Sequence, residues 1–272
     1  MQSFLIVVAL LISPASLFSQ AYPLEKVARG QYIFSVEGGC GCHNPQGEPR
    51  NVGGNKRDNP YVLVFSPNLT PDPETGIGSW TDKQVIDAFR LGTRPDGKQL
   101  SMGHPYYYFS GMADEDAEAL IAYLRSLPAV KRAYPPRQVK KAVPVYDLPS
   151  PPAAAPASGA ERGKYLVQNV GKCNYCHGSP YESPPDMSKY LAGRRDPTRL
   201  QPNITPDPET GIGTWSVDDI VKFLRTGIRP DGSKAGSIMA NLIRDGFKNI
   251  TEEDARLMAQ YLKSVPPVKN TP

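Results

Sequence analysis

The sequence predicts a mainly α chain in which one helical unit occurs twice. Three observations carry this. Asn68-Leu-Thr-Pro-Asp-Pro-Glu-Thr-Gly-Ile-Gly-Ser-Trp80 returns almost unchanged as Asn203-Ile-Thr-Pro-Asp-Pro-Glu-Thr-Gly-Ile-Gly-Thr-Trp215, and Arg94-Pro-Asp-Gly97 returns at the same offset as Arg229-Pro-Asp-Gly232. Each half ends in a stretch with apolar residues at helical spacing: Ala117, Leu120, Ile121 and Leu124, then Ala255, Met258, Ala259 and Leu262. Finally, 29 prolines and 24 glycines in 272 residues imply many turns, with short helices between them.

In order along the chain, residues 1–21 read as an export signal. An apolar run, Phe4 to Ile12, is followed by Ser19-Gln20-Ala21, whose small residues suit cleavage before Tyr22. No later segment is apolar enough to be transmembrane. The first unit is expected over 22–143 and the second over 160–272. Between them, 144–159 contains Pro-Ser-Pro-Pro-Ala-Ala-Ala-Pro and reads as a semi-rigid connector. Each unit opens with a short helix, at about Glu25 to Val36 and Glu161 to Val170. A turn-rich loop then leads to a helix beginning at Thr81 or Ser216. Thr81 with Gln84 forms a capping box, and Ser216 with Asp219 a looser one. Gly92 and Gly227 sit where a helix-terminating glycine belongs. A second turn-rich loop precedes the final helix, which Pro128 or Pro266 stops.

The net charge of +4 is mixed along the chain, which argues against a nucleic-acid stripe and fits an acidic redox partner. The chemistry lies at Cys173-Asn-Tyr-Cys176-His177. Two cysteines separated by two residues, with histidine directly following, form the attachment pattern of a c-type haem. Each thiol adds to a porphyrin vinyl group, and the adjacent imidazole is held under the iron. A zinc half-site or a disulfide is the bland reading, but zinc would want a second ligand pair and the chain has only three histidines.

Each unit resembles a class I cytochrome c domain. The chain resembles the exported multihaem cytochromes that accept electrons from periplasmic dehydrogenases, such as the cytochrome subunits of alcohol dehydrogenases. The shared loops, the Arg-Pro-Asp-Gly turns and the endings Tyr123-Leu-Arg-Ser-Leu-Pro128 and Tyr261-Leu-Lys-Ser-Val-Pro266 carry this resemblance. It implies a tandem duplication with two covalently bound haem c groups. His43 and His177 would be proximal ligands, Met239 would be the distal ligand of the second haem, and Trp80 and Trp215 would lie near the haem edges. A soft thioether opposite histidine favours reduced iron.

The first unit departs from the pattern at Gly39-Cys40-Gly41-Cys42-His43, with one residue between its cysteines. Cys42-His43 keeps the thioether–ligand relation. Cys40 reaches the second vinyl only if Gly39 and Gly41 permit an unusual backbone. The distal ligand is open as well. Counting from the Arg-Pro-Asp-Gly turn places His104 opposite Met239, counting back from the last helix places position 101 there, beside Met102, and the family's methionine puts Met102 slightly ahead. The leading reading is a periplasmic or otherwise exported, soluble electron carrier between redox partner proteins, a dehydrogenase or a terminal acceptor. The alternative is a dihaem enzyme, peroxidase-like or acting on sulfur compounds, with unusual chemistry at the first site.

Overall fold

The computed structural model describes residues 22–178, 185–196 and 199–272; the expected export segment 1–21 lies outside the described residues. Helix α1 (Leu24–Val36) leads through a tight turn, Gly41–His43, to the antiparallel strands β1 (Lys56–Asp58) and β2 (Val62–Phe65). Helix α2 (Asp82–Ile86) runs on as a π-helical turn, Asp87–Leu91. Short α3 (Tyr106–Phe109) and long α4 (Asp114–Ser126) follow, and β3 (Gln138–Val139) returns to pair with β2, Val62 opposite Val139. The second half has α5 (Gly159–Tyr165) with its π-helical turn Leu166–Val170, α6 (Cys173–His177), β4 (Arg194–Asp196) paired with β5 (Arg199–Gln201), α7 (Val217–Thr226), α8 (Ser237–Asp245) and α9 (Glu252–Ser264).

The helix signals act as their chemistry requires. Thr81 and Ser216 both complete capping boxes, so the expected difference between them is absent; α7 closes on left-handed Gly227 and the turn after α2 on left-handed Gly92. Helix α9 is capped by Thr251, whose hydroxyl accepts from the Asp254 amide. Helix α4 has Ala113 at that position and no capping side chain. Its first amides are satisfied from the connector instead, Asp114 donating to the Pro152 carbonyl (3.0 Å) and Glu115 to that of Ala153 (3.2 Å). The proline-rich connector therefore docks on the first half.

Two differences from the sequence reading stand out. The loop expected to carry Met239 is the nine-residue helix α8, whose -Ile-Met-Ala-Asn-Leu-Ile- run was too short to separate from a buried loop by periodicity. The five short strands arise in stretches read as loops, because a three-residue strand has no alternation to detect.

Helix α1 packs on α4, and α5 on α9, at very close approach. A methyl group at Gly30 would lie 1.8 Å from the Ala119 carbonyl oxygen, and one at Gly163 would lie 2.2 Å from that of Leu257. The buried apolar residues of both halves form one core, with Phe34, Val36, Leu120 and Ile121 joined to Leu166, Val170, Ile250 and Met258.

Candidate functional site

The repeated loops are the scaffold of the site. Asn68 accepts from the Thr70 amide (2.9 Å) and donates to the Val130 carbonyl (2.7 Å), tying the loop to the chain beyond α4. Asn203 does the same with Thr205 (2.9 Å) and Val268 (2.8 Å). Asp72 and Asp207 accept from the amide and hydroxyl of Thr75 and Thr210, all at 2.7 Å. These bonds hold both carboxyls below the ordinary aspartate range. A cation from the last helix closes each loop: Arg125 on the carbonyls of Ile77 and Trp80, Lys263 on those of Gly213 (2.7 Å) and Trp215 (3.0 Å).

The loop so fixed presents one backbone carbonyl to each histidine. Nδ1–H of His43 donates to the Pro67 carbonyl and Nδ1–H of His177 to the Pro202 carbonyl, both at 2.7 Å. A carbonyl can only accept, so the bond sets the tautomer and leaves Nε2 with a free lone pair for a metal. Burial pushes both imidazoles below their ordinary range, keeping them neutral, as ligation needs. The prolines themselves escaped the sequence reading, although they directly precede Asn68 and Asn203 and repeat with them.

None of the four cysteines forms a disulfide. In the second half, left-handed Lys172 (φ 44°) leads into α6, which carries Cys173 and Cys176. Burial pushes the Cys173 thiol up to about 12. In the first half the left-handed residue is Cys40 itself (φ 48°), followed by the shorter turn Gly41–His43. Cys40 thus takes the conformation of Lys172 rather than of Cys173, and the shortening falls in the helical turn. Gly38 and Gly39, at φ 90° and 72°, absorb it. Cys40 packs against the core, and burial, aided by the Glu37 carboxylate, pushes its thiol up; Cys42 is exposed, its sulfur 2.9 Å from Arg57 Nη2.

Different side chains bond the backbone of the two cysteine motifs. Arg194 donates to the Tyr175 carbonyl (3.2 Å) beside His177 and pairs with Asp196, whereas Asn55 donates to the Cys42 carbonyl (2.8 Å) in the first half. His104 lies beside the stacked rings of Phe89 and Phe109, 6.4 Å from the first and 6.0 Å from the second. Its Nδ1 is buried with no partner. Burial, with the nearby His43 and Lys172, pushes the imidazole down to about 3, so the structure brings His43 and His104 to one pocket. Met102 is buried two residues away, and Met239 packs half-buried against the core from α8. Trp80 is half-buried under the guanidinium of Arg94 (5.7 Å), and Trp215 lies edge-on to Phe223 (5.5 Å).

Cysteines that form no disulfide, next in sequence to neutral, oriented imidazoles, with a second buried imidazole near one of them, fit a covalently attached haem. The chain belongs to the cytochrome c family, with covalently bound haem c. That family matches residues 27–128. The dihaem cytochrome c-type protein of Cereibacter sphaeroides is 33% identical over 273 residues, 90% of this chain and 87% of that protein. The cytochrome c subunit of a quinone alcohol dehydrogenase from Gluconacetobacter polyoxogenes is 33% identical over 266 residues, 89% of this chain and 56% of the relative. The fructose dehydrogenase cytochrome subunit of Gluconobacter japonicus is 30% identical over 256 residues, 88% of this chain and 52% of the relative. The chain thus spans about half the length of these two dehydrogenase subunits. Among the described residues no helix is long and apolar enough to cross a membrane.

Proposed function

We propose that the chain is an exported dihaem cytochrome c that takes single electrons from a periplasmic dehydrogenase and passes them toward a respiratory chain. The observation that carries this is the matched pair of buried histidines, each oriented by a proline carbonyl and each directly following a pair of cysteines that form no disulfide. In this reading residues 22–143 and 160–272 are duplicated cytochrome c domains, 144–159 is their connector, and 1–21 is the export signal. Each bound haem iron would cycle between ferric and ferrous states, carrying one electron.

Cys173 and Cys176 would hold the second haem, with His177 proximal and Met239 distal. In the first site Cys42 carries the attachment next to His43, and Cys40, set back at the left-handed position, is the doubtful second thioether. His104 is the better distal ligand than Met102, because it alone places an unsatisfied buried nitrogen in the His43 pocket. Histidine on both faces would give the first haem a lower potential than the second. A second buried imidazole close to His43 also favours a six-coordinate carrier over an enzyme needing an open iron position.

A pyridine-haemochrome spectrum against protein concentration tests this reading. Two haems per chain are expected, and a ratio near one defeats the dihaem assignment. A band displaced from the two-thioether position would show single attachment through Cys42. For the distal ligand, His104→Ala is expected to open the first haem to cyanide while Met102→Leu leaves its spectrum unchanged. The reverse result would restore Met102.

A further inference from the structure

The two halves meet where their cysteine motifs lie, and the contact is reciprocal. Tyr175, inside the second motif, donates to the Gly103 carbonyl (2.8 Å), next to His104. Asn174 donates to the Tyr108 hydroxyl (3.3 Å). From the other side, Leu242 of α8 lies against Gly38 and Gly41, flanking the first motif. Each motif is therefore seated on the segment that carries the other half's distal candidate.

One ion pair lies at the centre of this junction. Glu37 stands three residues before Cys40, and Lys172 directly precedes Cys173. Lys172 Nζ is 2.6 Å from the Glu37 carbonyl oxygen, 3.1 Å from Glu37 Oε2 and 5.0 Å from the centre of the Phe109 ring. The other Glu37 oxygen accepts from the Cys40 amide. The side chains are 4% and 16% exposed. Removing two charges from water is costly, and a packed apolar pair would hold the halves together at least as well. Neither residue belongs to the haem-attachment pattern.

We propose that Glu37 and Lys172 form an electrostatic bridge between the two haem sites in which each charge offsets the pull of the other on the reduction potential of the first haem. This rests on the dihaem reading. Reduction lowers the charge on iron by one, so a nearby buried cation favours the reduced state and a nearby buried anion the oxidised state. In the intact pair the two effects largely cancel. Removing either partner leaves the other uncompensated in a low-dielectric junction. The first haem feels it more, since Lys172 reaches into the first half and Glu37 bonds the backbone of Cys40.

The test is a spectroelectrochemical titration of the full-length holoprotein as wild type, Glu37→Gln, Lys172→Met and the double variant over a range of pH, so that Glu37→Gln is read where the lone ammonium keeps its proton and Lys172→Met where the lone carboxyl is ionised. Glu37→Gln is expected to raise the first haem's midpoint potential, Lys172→Met to lower it, and the double variant to return toward wild type. Lys172→Arg, which keeps the charge, is expected to keep the wild-type potential. Shifts of the same sign, no shifts, or a double variant that adds rather than cancels would overturn the bridge, since loosened packing alone exposes the haem in either variant. If Lys172→Met does not load haem, the sign of the Glu37→Gln shift decides. Wild type carrying two haems with unshifted variants sinks only the bridge, whereas one haem per chain sinks the dihaem reading and the bridge with it.

Discussion

At the scale of single residues, the arrangement depends on small polar groups that aim larger ones. His43 and His177 face the cofactor pocket in one tautomer because the carbonyls of Pro67 and Pro202 hold Nδ1. Those carbonyls stay in place because Asn68, Asp72 and their counterparts lock the loop. This predicts a pH dependence. The Thr75 and Thr210 hydroxyls hold Asp72 and Asp207 below the ordinary range, so their stabilisation is fully present above about pH 4, where an unfolded aspartate is ionised, and is lost as pH falls through the lowered folded values. Asp72→Asn with Asp207→Asn should therefore reduce stability at neutral pH and flatten the acid limb of a thermal-melting profile. An acid limb identical to wild type would show that other carboxylates govern it.

At the scale of elements, the helix pairs depend on positions without side chains. The backbones of α1 and α4 touch at Gly30, and those of α5 and α9 touch at Gly163. Gly30→Ala or Gly163→Ala should cost at least about 2 kcal/mol, because the obstacle is a backbone carbonyl that cannot rotate away. Gly236→Ala, where nothing lies within 4 Å, should fall within about 0.5 kcal/mol of wild type. Denaturant midpoints of the holoprotein would check both. The same scale explains the capping asymmetry: α9 carries its own Thr251, whereas α4 borrows carbonyls from the connector.

At the scale of the whole molecule, the halves are locked by crossed polar contacts. Buried Asp116 accepts from Arg29 of its own half (2.7 Å) and from Tyr165 of the other (2.7 Å). Buried Asp254 accepts from Arg162 of its own half (2.6 Å) and from Tyr32 of the other (2.5 Å). Burial and the facing carboxylate push both phenols up, Tyr32 to about 12, so both remain donors at any ordinary pH. Tyr32→Phe and Tyr165→Phe should each cost about 1–3 kcal/mol, with Tyr165→Phe the worse because its bonds to Asp116 and the Ala113 amide (3.1 Å) are buried, whereas Tyr32 is half-buried and its contact with the Thr251 amide is exposed. A shared core with these contacts also predicts one cooperative unfolding transition. Calorimetry that resolved two independent transitions would contradict it.

The sequence by itself determined what is local or repeated. The caps at Thr81, Ser216 and Thr251, the amphipathic α4 and α9, and the cysteine–histidine motifs each depend on residues a few positions apart, and the loop motif announced itself by recurring. Only the tertiary structure decided the rest, because those features pair residues far apart in the chain. Nothing near Lys172 announces Glu37, 135 positions away. No count along the loop could show that His104 is buried beside the stacked rings of Phe89 and Phe109 and close to His43, since that depends on how distant segments pack. A one-residue loss reads in sequence as a gap between cysteines. In three dimensions it becomes a left-handed Cys40 because the chain must still deliver His43 to the Pro67 carbonyl, and the flexible glycines before it are where the backbone can yield.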